Sequence, residues 1–210
     1  MLLDDYLSGM TNTSTISRLP ASERRQQLLE TALHIFARQG YHETSMNDLA
    51  AKAGVTKPVL YQHFESKREM YLSVLQETSA ALNKAVEMSR QSRKVASQHE
   101  LVELGLLGFF QFFEKTPDAF NFLYGVSHEQ DAELRHEARK VQESFMVQMV
   151  RRWQKEDLEK ALVVAAGMHG LLLGMIQHWM QDGQRHSAQE MTDLASNLIL
   201  NGIKAFTEMT

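Results

Sequence analysis

Apolar residues recur along this chain at helical spacing, and no stretch shows the period-two alternation of a strand. Over residues 22–39 the apolar positions Leu28, Leu29, Ala32, Ile35 and Phe36 share one helix face, and Gly40 supplies the left-handed residue that ends the helix. Thr44 or Ser45 can cap a short second helix reaching about Ala53, with Met46, Leu49 and Ala50 turned inward. Gly54-Val55-Thr56 reads as a turn, after which Thr56 caps a third helix whose first turn tolerates Pro58. Ser66 with Glu69 is a capping box for a fourth helix that buries Met70, Val74 and Leu75.

The same style continues to the end. A polar link over 89–98 precedes a fifth helix at about 98–114, and Thr116-Pro117 starts a short segment ending at Gly125. Ser127 with Gln130 opens a long helix carrying Leu134, Ala138, Val141, Phe145, Met149 and Trp153 as one stripe. Asp157 caps an eighth helix running to Gly183, and Ser187 with Glu190 caps a ninth running to about Phe206. The expected fold is all-α with about nine helices.

Composition narrows this further. The chain of 210 residues is 43 % hydrophobic and 23 % charged, which is globular and fits one ordinary domain or two small ones. Cysteine is absent, which excludes disulfides, thiolate metal sites and cysteine nucleophiles. The net charge of −4 excludes a protein coated in basic charge, although a local basic patch can still serve nucleic acid. Lys and Arg slightly outnumber Asp and Glu over residues 20–75 and are outnumbered beyond them, which hints at two modules. The first stretch is a polar, Ser/Thr-rich tail with Asp4 and Asp5 where a signal peptide carries lysines, and Met10 offers a second start. No run reaches the roughly 18 apolar residues that span a bilayer. The expectation is a soluble, cytoplasmic protein.

Three short helices joined by tight turns suggest helix-turn-helix. At about 100° per residue, Leu60 and Phe64 share one side of the third helix, while Pro58, Tyr61 and Gln62 share the other with Lys57 and His63 at the flanks. Such a face suits a major groove, where Gln can bond adenine and Tyr can meet a phosphate or a thymine methyl. Thr44 and Ser45 stand at the N-terminus of the second helix, where backbone N–H groups favour an anion, and Lys67 stands at that of the fourth. Tyr41 reads as a packing residue.

The run from Ala37 to Leu75 resembles the N-terminal domain of TetR-family transcriptional regulators. Gly40-Tyr41, Thr44-Ser45, Asp48-Leu49-Ala50, Ala53-Gly54-Val55-Thr56, Leu60-Tyr61, His63-Phe64 and Ser66-Lys67 carry the resemblance, which extends over roughly residues 22–75. It implies DNA contacts at Thr44, Ser45, Thr56, Lys57, Pro58, Tyr61, Gln62, His63 and Lys67. Thr44, Ser45 and Thr56 double as caps, and His63 as packing beside Phe64, so Lys57, Tyr61 and Gln62 carry the DNA assignment most directly. Pro58 and Val59 depart from the small or polar residues that many relatives carry there. The resulting division is a tail over 1–20, a DNA-binding domain over 21–80 with its helix-turn-helix at 45–64, and an effector-binding and dimerisation domain over 81–210.

In the second part, Phe109, Phe112 and Phe113 fall on one helix face, and Gly105 and Gly108 allow a neighbour to approach closely. Relatives hold an effector pocket among these helices, which makes Phe109, Phe113, Phe145, Met149, Trp153, Met168, His169 and Leu172 candidate lining for a flat or aliphatic apolar compound, with His169 or Trp153 as polar handle. The eighth helix is apolar all round between about Ala161 and Ile176, so it needs partners on two sides. Its length is close to spanning, but His169 and the charged flanks argue against a bilayer. Gly167, Gly170 and Gly174, with Leu194, Leu198 and Ile203 of the ninth helix, are the expected seam with a second copy. The family's pairing into a four-helix bundle implies a homodimer on a palindromic DNA operator.

His128, Glu129, Asp131, Glu133 and His136 are the one cluster that looks like metal ligands, but His128 and His136 stand about 12 Å apart along a helix, too far to chelate one ion. Neither metal nor cofactor is expected, and no catalytic motif appears. The function read from the sequence is a ligand-responsive DNA-binding repressor. The alternative is a helical small-molecule binder or scaffold without specific DNA binding.

Overall fold

The computed structural model describes residues 20–95, 97–125, 131–151 and 158–208, with the backbone alone for 143–151, 158, 160–161 and 202–208. Among the described residues the chain forms nine helices and no strand: α1 (Ala21–Gln39), α2 (Met46–Lys52), α3 (Lys57–Tyr61), α4 (Lys67–Gln91), α5 (Gln98–Lys115), α6 (Pro117–Tyr124), α7 (Ala132–Arg151), α8 (Leu158–Gln181) and α9 (Ala188–Glu208).

Local chemistry sets most of these ends. Gly40, with φ 78 and ψ 172, closes α1 in a backbone region that only glycine enters freely. Ser45 and Asp48 close a capping box on α2, the Ser45 hydroxyl accepting from the Asp48 amide and the Asp48 carboxylate accepting from the Ser45 amide. Ser66 accepts from the Glu69 amide, but the Glu69 carboxylate reaches one residue further back than expected, to the amide of Glu65. Ser187 and Glu190 form the expected box on α9. Ser97 caps α5 through the Glu100 amide, a pattern equally visible in the sequence.

One expected boundary moves. Ser89-Arg90-Gln91, read as linker, is the last turn of α4, where Arg90 pairs with Glu87 at 3.0 Å and contributes helical support. The Ser127–Gln130 pattern lies outside the described residues, as does Asp157. At the described start of α7 the Asp131 carboxylate accepts from the amides of Glu133 and Leu134.

One buried apolar core runs through both ends of the molecule. Leu28, Leu29, Ala32, Ile35 and Phe36 of α1 are buried as their spacing predicts. α1 packs against α2, α4 and α6, α4 lies along α5 and against α7, and α5 lies along α9, while α8 contacts α7 and α9. α4 is continuous through residue 80, so one helix serves both the N-terminal cluster and the helices behind it. At the module junction Phe36 of α1 meets Tyr71 of α4 edge-on at 5.1 Å, and Tyr71 meets Phe122 of α6 at 5.0 Å. The carboxylate of Asp118 on α6 is 2.6 Å from His34 and 3.6 Å from Arg38 of α1.

The stretch Leu162–Gln181 of α8 reaches a mean hydropathy of 1.3 over a span-length window, so by length and composition it is long and apolar enough to cross a membrane. Here Ala165, Leu172, Ile176 and Trp179 are buried within the chain. The other side stays uncovered by the described chain: Val163 is 70 % exposed, and a Cβ at Gly167, Gly170 or Gly174 would meet nothing within 4 Å.

The crossing of α4 and α5 depends on Gly108. A Cβ there would lie 2.8 Å from the carbonyl oxygen of Ala85 and 2.9 Å from Cα of Val86, both backbone atoms. At Gly105 the atoms met first belong to the flexible end of Arg90. Gly108→Ala should therefore destabilise the chain by about 1–3 kcal/mol in urea unfolding, as overpacking does, and Gly105→Ala by less. Equal midpoints for the two variants would refute this account of the crossing.

Candidate nucleic-acid interface

The helix-turn-helix comprises α2, a turn through Ala53–Thr56 and α3. Gly54, at φ 66, makes the turn, and the Val55 amide donates to the Ala50 carbonyl to close it. α3 spans only five residues, and its last turn is continued by amide bonds from Gln62, His63 and Phe64 back to Pro58, Val59 and Leu60. Leu60 and Phe64 are fully buried, as their shared side predicts. The guanidinium of Arg25 on α1 lies 4.8 Å over the Phe64 ring and donates to the Ser73 hydroxyl of α4 at 3.2 Å. Arg25 thus fixes the end of α3 to two other helices, a role that its sequence position did not reveal.

Opposite this anchor the predicted face is open. Lys57, Pro58, Tyr61 and Gln62 are exposed, Tyr61 at 43 %, and His63 is half-buried at the flank. The Lys57 ammonium stands 5.9 Å from the Tyr61 ring centroid, within cation–π range, so cation and phenol form one unit on the surface. Thr56 is exposed and its side chain makes no capping bond, which leaves the hydroxyl outward at the start of α3.

Three expected contacts are placed differently. Thr44 is 1 % exposed and its hydroxyl donates to the Gly40 carbonyl at 2.7 Å, so its side chain braces the α1–α2 turn instead of facing outward. The hydroxyl and amide of Ser45 both engage Asp48, whose carboxylate occupies the N-terminus of α2, and these bonds hold its pKa below the usual carboxylate range. The charge needed to complement that helix end is thus already supplied by the chain.

Lys67 turns inward as well. Its ammonium donates to the carbonyls of Tyr41 and Thr44, both at 2.8 Å, and sits 4.2 Å over the Tyr41 ring. It clamps the turn joining α1 to α2. Tyr41 packs edge-on against Tyr71 at 5.3 Å, as its packing role predicts.

The candidate effector lining is spread through the core. Phe109, Phe113 and Leu172 are buried, with the Phe109 and Phe113 rings edge-on at 5.0 Å. Met168 packs against the core at partial exposure. His169 is half-buried with Nε2 buried and unpartnered, and Tyr124 is its ring neighbour at 6.1 Å. The side chains of Phe145, Met149, Trp153 and Ile203 lie outside the described residues. Of the acidic and histidine cluster, Asp131 caps α7 and Glu133 pairs with Arg68 at 2.8 Å, while His128 and Glu129 lie outside the described residues. No group of three metal-ligating side chains occurs among the described residues.

Residues 28–74 match the family model described as bacterial regulatory proteins, tetR family. The transcriptional activator FasR of Mycolicibacterium smegmatis is 28 % identical over 169 residues, 79 % of this chain and 76 % of that protein. A TetR-like transcriptional regulator from Rhodococcus sp. RHA1 shares the fold with a TM-score of 0.74 at 24 % identity, over 89 % of this chain and 99 % of that one. The transcriptional regulator FadR of Bacillus subtilis, solved in complex with stearoyl-CoA, shares it with a TM-score of 0.66 at 16 % identity, over 84 % and 98 %.

Two predictions follow from these placements. Gln62→Ala should relax base preference and cost about 1–3 kcal/mol of DNA affinity with the unfolding midpoint unchanged. Lys67→Ala should lower stability by about 1.5–3 kcal/mol, the worth of charge-assisted bonds, and weaken all duplexes alike. Denaturation and DNA titration of both variants check the pair, and an unchanged midpoint for Lys67→Ala would remove the clamp.

The second concerns pH. Burial holds the pKa of His169 below 6.5, so the folded chain keeps it neutral where the unfolded chain takes up a proton. Stability should fall as pH drops below about 6.5, because the unfolded state binds more protons there. Thermal unfolding at pH 7.5 and 5.5 should show His169→Phe losing less on acidification than the parent.

Proposed function

From the premise that the chain belongs to the TetR family and is a DNA-binding transcriptional regulator, we propose that it acts in the cytoplasm as a homodimeric repressor of a palindromic operator, released by a small apolar effector. The observation that carries this reading is the outward Lys57, Pro58, Tyr61 and Gln62 face, mounted on buried Leu60 and Phe64. Those side chains offer an amide for a base edge, a phenol for a phosphate or thymine methyl and a cation for the backbone. Thr56 and His63 flank the same face.

The pairing surface is supported by what α8 and α9 leave uncovered. Leu162, Val163, Leu194 and Leu198 are exposed, and the three glycines of α8 have open space above them. Apolar side chains beside bare backbone fit close helix packing against a second copy. A twofold dimer through this surface presents two α3 helices to DNA, which calls for two half-sites about one helical turn apart.

Support for the effector comes from the interior. His169 presents a buried, unpartnered nitrogen beside Tyr124, whose ring also meets Phe113 of the phenylalanine-rich α5 at 6.0 Å. The apolar acyl chain of the stearoyl-CoA bound by the FadR neighbour is in keeping with an apolar site. By linkage, the effector weakens DNA binding by the factor by which DNA weakens effector binding. A second reading, activation of transcription, is favoured by one observation: FasR is named an activator.

Selection from a random duplex library at about 150 mM salt tests the regulator, since unspecific binding is suppressed there. The expected outcome is a palindromic motif, and an unenriched pool would favour a scaffold. Leu198→Arg, at a position 57 % exposed in the single chain, should leave the fold intact and raise the dimer dissociation constant by tenfold or more. Sedimentation of both proteins measures it, and an unchanged association state would place the seam elsewhere. Fusion of the enriched motif to a reporter then separates repression from activation.

A further inference from the structure

A cleft of about 750 Å³ opens where the C-terminal end of α1, the helix α6 and the far end of α8 converge, a size typical of small-molecule sites. None of the interior candidates Phe109, Phe113, Met168, His169 or Leu172 lines it. Its α8 wall is Leu173, Gln177, Met180 and Gln181, which recur at helical spacing on a face distinct from that of buried Leu172 and Ile176. Its α6 wall includes Phe120, Asn121 and Tyr124. The third wall is α1 from Phe36 to Gln39, continued by the turn residues Gly40 to Glu43.

The lining has a definite chemistry. Tyr124, Leu173 and Met180, with the edge of Phe120, provide an aromatic, aliphatic and thioether surface suited to a flat or aliphatic body, and Phe36, Tyr71 and Phe122 are buried behind it. Gln39, Asn121, Gln177 and Gln181 provide neutral amides that can donate and accept. Burial pushes the pKa of the Tyr124 hydroxyl up, so it remains a neutral group. Arg38 is the one Lys or Arg of the lining, and its charge is shared with Asp118 at 3.6 Å. No surplus positive charge awaits an anion here.

We infer that this cleft is a binding site for a neutral amphipathic small molecule, with an apolar body on the aromatic surface and carbonyl, hydroxyl or amide groups on the glutamine and asparagine rim. Occupancy bears directly on the α1–α2 turn, because Gly40, Tyr41, His42 and Glu43 are both cleft wall and the segment that Lys67 clamps. A ligand there presses on the lead-in to α2 without passing through the interior. The effect on DNA rests on the regulator reading above, whereas the binding and the response of the turn do not.

The test uses the full chain and Nile red, a neutral planar dye with carbonyl and ring-nitrogen acceptors, whose fluorescence rises in apolar surroundings. Gln177 is exposed, so Gln177→Trp can fill the cleft without disturbing the core. The expected result is dye binding that weakens at least tenfold in Gln177→Trp and stays within twofold in His169→Phe and in the remote α9 variant Gln189→Trp. Amide hydrogen exchange over residues 40–44 should also change on dye binding in the parent and not in Gln177→Trp. No fluorescence gain, binding lost through His169→Phe, or unchanged exchange over 40–44 would each overturn the inference. A chain that selects no duplex yet gives the expected dye and exchange results keeps the cleft and loses only the regulator reading.

Discussion

The recognition face depends on the burial of Leu60 and Phe64. α3 has five residues, too few for its own hydrogen bonds to outweigh the cost of nucleating a helix. Propensity differences there amount to tenths of a kcal/mol per residue. Removing two large apolar side chains from water contributes about 3–6 kcal/mol, so burial decides. Arg25 adds orientation, because it covers the Phe64 ring while bonded to Ser73. The outward direction of Tyr61 and Gln62 follows geometrically once their neighbours on the helix point in.

α1 is one of two helices that join the two ends. Its N-terminal half supplies the wall for α3, and its C-terminal half joins the aromatic contacts of Tyr71 and Phe122 and the Asp118 carboxylate of α6. Aromatic contacts with fixed interplanar angles transmit displacement better than a slack aliphatic interface, since close-packed interiors have low compressibility. α6 packs directly on α1. α4 offers a parallel route, being one continuous helix from Lys67 to Gln91.

Much of this was legible in the chain, and the limit of legibility is physical. Period and caps are local, so α1's five buried residues, a cap at Thr44 or Ser45, the box at Ser187 and the division of α3 into two faces could be read directly. The Ser97–Glu100 cap carried the same signal and was equally readable. Long-range pairing is not local: Lys67 reaches carbonyls more than twenty residues away, and Arg25 reaches a ring of another helix. A lysine before a helix reads as a phosphate contact until its partners are seen. Thr44 misled for a similar reason, since a cap and a buried brace use the same hydroxyl. The cleft had no local signature, because its three walls are far apart in sequence.

The magnitudes connect the inferred cleft to the proposed release of DNA. Moving operator occupancy from nearly full to nearly empty needs a ligand preference of about 10⁴-fold, or about 5.5 kcal/mol, between two states of the protein. The Lys67 clamp makes two charge-assisted bonds to the α1–α2 turn, each worth about 1.5–3 kcal/mol and nearer the lower figure at this partly exposed site. Releasing both, with the Tyr41 contact beneath them, costs about 3 kcal/mol. A ligand that favours the turn in an unclamped arrangement has to offset that cost, so this single place sets about half of the preference that such a shift requires. The exposed ion pair of Arg68 with Glu133 cannot do so, because such pairs contribute about 1 kcal/mol or less. The turn between α1 and α2 is therefore where a small displacement has enough energy behind it to matter for α3.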